Sequence, residues 1–239
     1  MKKTILISVI LICISVVVCS LILVKPAILF RNESGIRVKG QVSQVVESDI
    51  AKWDARIYTS DSNPTIAFQT IQDAEKLVID FLEEKGVKKE NVATSTSLRQ
   101  INKRNANGYE TNEVVAFQYT LYISYQSKDI ALIESLASDA ATLVNVGVLI
   151  ESYGPQFYYS KLDELKLDLI AKAAENARDR AKVLISGSGG NLGKVISGSQ
   201  GVFQITSPLS TDVSDYGTYD TSSKTKQITC TVTMEFAVE

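Results

Sequence analysis

The chain is predicted to be an α+β protein: a mainly antiparallel sheet of about seven strands with three helices packed on one face, preceded by an N-terminal transmembrane helix. Three observations lead there. Apolar residues alternate with polar ones in nearly every strand-like stretch, the mark of a sheet buried on one side rather than a parallel sheet covered on both. A long stretch, 162–184, carries Leu162, Leu165, Leu169, Ala173, Ala177, Ala181 and Leu184 at helical spacing. An almost purely apolar run, Thr4 to Val24, opens the chain between Lys2-Lys3 and Lys25-Pro26.

That run sets the compartment. At 1.5 Å per residue, about 20 helical residues span the ~30 Å hydrocarbon layer, whereas a signal-peptide core is typically ~7–15 residues. No small-x-small site precedes Lys25, and Val16 to Val18 precede Cys19 where a lipoprotein signal wants a small residue. Residues 1–30 are therefore expected to be a retained signal-anchor, with residues 31–239 an extracytoplasmic domain of a single-pass membrane protein. The alternative is a secreted or periplasmic protein released by signal cleavage.

In chain order, Ile36, Val38, Gly40 and Val42 alternate with Arg37, Lys39 and Gln41 as a first strand. Ala51, Trp53, Ala55 and Ile57 form a second, with Lys52, Asp54 and Arg56 facing the other way and Glu47 to Asp49 as the turn. Asn63-Pro64 is an N-cap followed by a first-turn proline, and Phe68, Ile71, Ala74, Val78 and Phe81 mark a helix that stops at Gly86. Val92 to Ile101 is the third strand. The turn from Asn105 to Gly108 leads into a fourth with Val115, Phe117, Tyr119, Leu121, Ile123 and Tyr125 on one face. Ser127 to Val144 is a second helix, with Ile130, Ile133, Ala137, Ala140 and Val144 as its stripe. Val146 to Tyr159 is a strand bent or placed on an edge by Gly154-Pro155. Ser160 and Asp163 resemble a capping box for the long helix, whose alanines allow a helix axis to approach a sheet closely. Leu192 to Ile205 and Gln227 to Val238 complete the strands. The intervening residues, 206–226, read as a polar mobile loop.

Composition narrows the function. The 239 residues are 45% hydrophobic, enough for a proper core. Three of the 25 basic residues precede Arg31, leaving 22 against 27 acidic ones in the rest, which argues against nucleic acid as a partner. The local basic excess of Lys85, Lys88, Lys89, Arg99, Lys103 and Arg104 reads as solvated surface. With no histidine, the commonest general base and metal ligand is missing.

The stretch from Gly187 to Lys194 imitates a phosphate-binding loop, but Ser188 and Val195 stand at the wrong positions and the loop follows a helix instead of preceding one. Cys230 alternates with Ile228 and Val232 and reads as core. Asp212, Asp215 and Asp220 lack the spacing of a calcium loop. Tyr153, Phe157, Tyr158 and Tyr159 read as sheet packing. No catalytic, cofactor-binding or metal-binding residue is assigned, and no cofactor is expected.

Several segments together resemble one family: Val38-Lys-Gly-Gln-Val-Ser43, Asp49-Ile-Ala51, Leu82 to Thr94, Asn107-Gly-Tyr109, Ala173-Ala-Glu-Asn-Ala-Arg-Asp-Arg-Ala181, Gly190-Asn-Leu-Gly-Lys-Val195 and Ile228 to Phe236. In order and spacing they are similar to the SIMPL domain, whose bacterial members include periplasmic oxidative-stress-defence and immunogenic proteins. The resemblance covers about Ile36 to Glu239. It implies an exported α+β module without an established enzymatic activity, capable of self-association. The expected function is thus a membrane-tethered, non-catalytic interaction or scaffold module linked to envelope or oxidative stress; the alternative is a small-ligand binder, or an enzyme using carboxylate or Ser/Lys chemistry. The expected partners are the membrane, through the N-terminal helix, a protein of unspecified identity, and a second copy. Homo-oligomerisation is expected through a sheet face bearing Val114, Ala116, Thr120 and Tyr122 on one long strand and Thr229, Thr231 and Thr233 on the other.

Overall fold

The computed structural model describes residues 35–239 together with Ser15, Val18 and Cys19. The expected membrane segment otherwise lies outside the described residues, among which no helix is long and apolar enough to cross a membrane. The α+β class holds, but the single seven-stranded sheet does not. Among the described residues ten strands form two sheets of five: β1 (Gly35–Glu47), β10 (Thr225–Val238), β8 (Gln204–Thr206) and β9 (Thr218–Tyr219) in that order, with β7 (Leu192–Gln200) also on β10; and β3 (Ala93–Arg104), β4 (Glu110–Ser127), β2 (Ile50–Asp61) and β5 (Ile150–Ser152), with β6 (Gln156–Tyr158) also on β2. Within residues 35–239 three helices, α1 (Pro64–Glu84), α2 (Ile130–Asp139) and α3 (Leu162–Ser186), are likewise shared out rather than gathered on one face. Strands β1 and β2 follow each other in sequence yet join different sheets. Between them, the Ser48 peptide N–H donates to Lys224 O and that of Asp49 to Tyr158 O, so the turn is spent on other segments and does not close a hairpin.

The chain divides into two compact units. Of the described residues, the first comprises 35–44, 164–203 and 229–239. Here α3 buries Leu165, Leu169, Ala173, Ala177, Ala181 and Ile185, the expected stripe except that Leu162 at its start is only half-buried and Ile185 replaces Leu184 at its end. The contact with β1 is backbone to backbone. A Cβ on Gly40 would lie 2.1 Å from Ala173 O and 2.6 Å from Ala177 N, so only glycine fits. The outward edge of β1 is closed by the same helix: the Gln41 N–H donates to Asn176 Oδ1 at 3.1 Å, and Arg180 donates to Lys39 O at 3.1 Å. The motif Ala173 to Ala181 therefore has two jobs, with alanines for approach and Asn176 and Arg180 for the open peptide groups. Strand β7 pairs antiparallel with β10, and Cys230, Val232 and Phe236 of β10 are buried as alternation requires.

The second unit comprises residues 45–163 and 204–228. Its sheet buries Ala51, Trp53, Ala55 and Ile57 of β2 and Leu121 and Ile123 of β4 against Ile71, Val78 and Leu82 of α1 and Ile133 and Leu136 of α2. Asn63 caps α1 by accepting from the Thr65 N–H. The second helix is shorter than expected. After Asp139 the chain tightens into a 3-10 turn over Ala140–Val146, and the three-residue period turns Leu143 inward and leaves Val144 exposed. Gly154 and Pro155 split the expected strand into β5 and β6. The expected capping box is not how Ser160 is used: its N–H and hydroxyl both donate to the Asp49 carboxylate. Trp53 Nε1 donates to Ser152 Oγ, which donates on to Ala137 O, tying β2, β5 and α2 together inside the core.

Candidate interaction face

The side of the second sheet turned away from α1 and α2 gathers charged and aromatic side chains from four strands. Its residues follow from register: with Ala51, Trp53, Ala55 and Ile57 inward, Lys52, Asp54, Arg56 and Tyr58 must face outward, and antiparallel pairing sets Arg56 opposite Tyr122 and Tyr58 opposite Thr120. From β3, Arg99 comes to lie opposite Gln118, and from β5, Glu151 opposite Arg56.

The result is a depression of about 530 Å³ lined by Arg56, Tyr58, Arg99, Gln118, Tyr122 and Glu151 among others. The Arg56 guanidinium donates to Glu151, whose carboxylate also accepts from the Tyr153 hydroxyl at 3.3 Å. The same guanidinium lies 5.9 Å from the centre of the Tyr153 ring. Glu151 raises the pKa of Arg56 further by hydrogen bond and charge. Arg99 donates to the neutral Gln118 carboxamide at 2.9 Å, and Lys52 pairs with Asp54 at 2.9 Å. Tyr58 and Tyr122 are 44% and 47% exposed, far more open than a ring used for packing. Chemically the face offers two guanidinium planes, exposed phenol rings and short polar side chains on a rigid sheet.

The residues singled out in the sequence are dispersed. Of the four aromatics, Phe157 is core, Tyr158 lies 6.4 Å ring to ring from Tyr219, and only Tyr153 joins the face. Cys230 is buried, and burial pushes its thiol pKa up. Gly189 takes φ 79° in the turn after α3, as a helix-to-strand turn needs. Asp212 accepts from Ser210 in a local turn. Partial burial pushes the Asp220 pKa up, but hydrogen bonds from Ser223 and Ser222 and the charge of Lys226 outweigh it and hold the carboxyl at about 2. Lys226 itself, only 1% exposed, donates to Asp220 O and Ser223 O, and burial lowers its pKa. Lys85 of the basic group pairs with Asp139, Lys103 with Glu113 and Arg104 with Glu110. The face expected to serve self-association is broken up, because Tyr122 belongs to one sheet and Thr231 to the other.

Alternation in the sequence puts Arg56 outward and composition puts Arg99 in the basic group, but neither shows that the two share a face with Glu151. Alternation supplies the parity of each strand. Register, which no local signal carries, supplies the convergence.

Fold and face together define an α+β protein with one sheet side left open and rich in tyrosine and arginine. The chain belongs to the SIMPL family, described as a protein of unknown function (DUF541), which matches residues 36–236. No curated protein is similar enough to match. Among solved structures, an amidase of the hydantoinase/carbamoylase family from Burkholderia multivorans is similar at 11% identity and a TM-score of 0.23, over 56% of this chain and 32% of the amidase. The chain thus spans about a third of that protein's length, and a likeness so weak carries no argument.

Proposed function

We propose that the protein is a membrane-tethered, extracytoplasmic, non-catalytic interaction module serving envelope or oxidative stress, with the open face of the second sheet as its docking surface. The observation that carries the reading is the pairing of exposed Tyr58 and Tyr122 with Arg56 and Arg99, since tyrosine and arginine dominate the residues that bind strongly in protein interfaces. The apolar run from Thr4 to Val24 supplies the tether, and the stress link comes from the resemblance to periplasmic defence proteins.

The test is a photo-cross-linking residue at position 122 in the full-length chain in intact cells. The expected result is a discrete adduct in the membrane fraction that disappears when Arg56 is changed to Glu, with the domain open to externally added protease. A self-adduct would name a second copy as the partner. A protein recovered only from the soluble fraction with its amino terminus near Ala27 to Ser34 would remove the tether, and the absence of any adduct would remove the docking face.

A further inference from the structure

Among the described residues, strand β3 stands at the end of its sheet's order and pairs with β4 alone, so one row of its peptide groups is left without a strand partner over 12 residues. Its two halves are defended differently. From Arg99 to Arg104 the strand has three cations and register breaks on both sides of Asn102, the usual devices against strand addition. From Ala93 to Leu98 it has neither: Ala-Thr-Ser-Thr-Ser-Leu is uncharged, free of proline, regular in register and exposed at every position.

The side chains flanking this half say what would fit. On the side facing α1 are Thr94, held by Glu75 at 3.1 Å, and Leu98, 52% exposed beside Tyr119. On the open side, Ser95 and Ser97 lead to Arg99, which donates to a neutral amide, whereas Lys103 and Arg104 are each paired with a glutamate of β4. Strand β3 holds cations and no acid. An added strand would lie ~4.8 Å away and send alternate side chains to the two sides. It would meet an apolar contact on one side, where Glu75 disfavours acids, and a cation on the other.

We infer that β3 accepts an extended peptide segment by strand addition, and that the segment alternates apolar residues, placed beside Leu98, with acidic ones placed beside Arg99. The inference rests on reading the protein as an interaction module and names the chemistry of its partner.

The test uses the full-length chain in detergent and fluorescein-labelled peptides of six Glu-Val repeats, six Lys-Val repeats, and six Glu-Val repeats N-methylated at every second residue, followed by anisotropy. Saturable binding of the Glu-Val peptide alone is expected. Methylation should abolish it, because strand pairing needs the peptide N–H groups. Leu98→Glu should weaken it, and Arg99→Glu should weaken it about tenfold while transferring preference to the Lys-Val peptide. Both variants should melt like the parent, since both positions are exposed. Equal binding of the methylated peptide would reduce the effect to charge attraction and overturn the inference, as would no binding, or an affinity indifferent to Arg99. A concentration-dependent doubling of mass that Leu98→Glu removes would assign the edge to a second copy and also overturn it. If the peptide fails while cross-links from position 122 persist, the docking face survives and the edge does not.

Discussion

The two units solve the same packing problem, a helix laid on a sheet, with opposite materials. In the first, α3 meets β1 through Gly40, Ala173 and Ala177, and the surfaces touch almost atom to atom along the main chain. In the second, Ile71, Val78 and Leu82 of α1 fill a thick layer against Trp53, Ile57 and Leu121. A thick layer is stabilised by apolar area and fails when volume is removed; a thin one depends on the absence of volume and fails when any is added. One contact should be sensitive to enlargement and the other to truncation.

Four measurements can break or sharpen this contrast. The largest effect is expected from Gly40→Val, which drives carbon into the Ala173 carbonyl where even a single Cβ does not fit. Loss should exceed the ~1–3 kcal/mol typical of overpacking, and a near-parental melt would show that β1 can lift off α3 freely. Next, Ile71→Ala in the thick layer should cost about 2–5 kcal/mol, read by urea unfolding; a loss under about 1 kcal/mol would mean the layer collapses around the cavity. Third, Ala177→Leu should cost about 1–3 kcal/mol with Ala177→Ser costing less, and the reverse order would contradict the thin contact. The smallest effect lies outside both contacts. Asp220, at about 2 in the folded protein against an ordinary 3.8, contributes stability that is fully present above about pH 4 and is lost as pH falls through its folded value. Asp220→Asn should flatten the melting temperature between about pH 4 and pH 2, and an unchanged slope would place the acid sensitivity elsewhere.

Much of each layer is legible in the residues themselves. Alternation identifies the inward residues of β2 and β10, and the alanine spacing identifies the thin side of α3, because both signals are local and periodic. The partition into two sheets is not legible, since alternation says which side of a strand is wet and nothing about its neighbour. The hydrogen bond between Ser43 and Thr229 that accompanies the β1 and β10 pairing joins residues 186 apart. Gly40 can be placed on the inner face but not recognised as the point of closest approach, which needs the helix to be present. Ser160 misleads for a related reason: a capping box competes with any nearby carboxylate, and Asp49, 111 residues away, takes the hydroxyl. At the interaction face the same limit applies, with Arg56 and Glu151 brought together across 95 residues.

The buried Cys230 thiol turns the thin contact into something that can be timed. Burial keeps the sulfur protonated as well as shielded, so an alkylating reagent can reach it only during the moments when β10 comes free of its surroundings. The rate of labelling at this one atom, separated by peptide mapping from Cys13 and Cys19, is then a clock for how often the first unit opens. Gly40→Val should make that clock run fast, while Ile71→Ala should leave it closer to its parental pace.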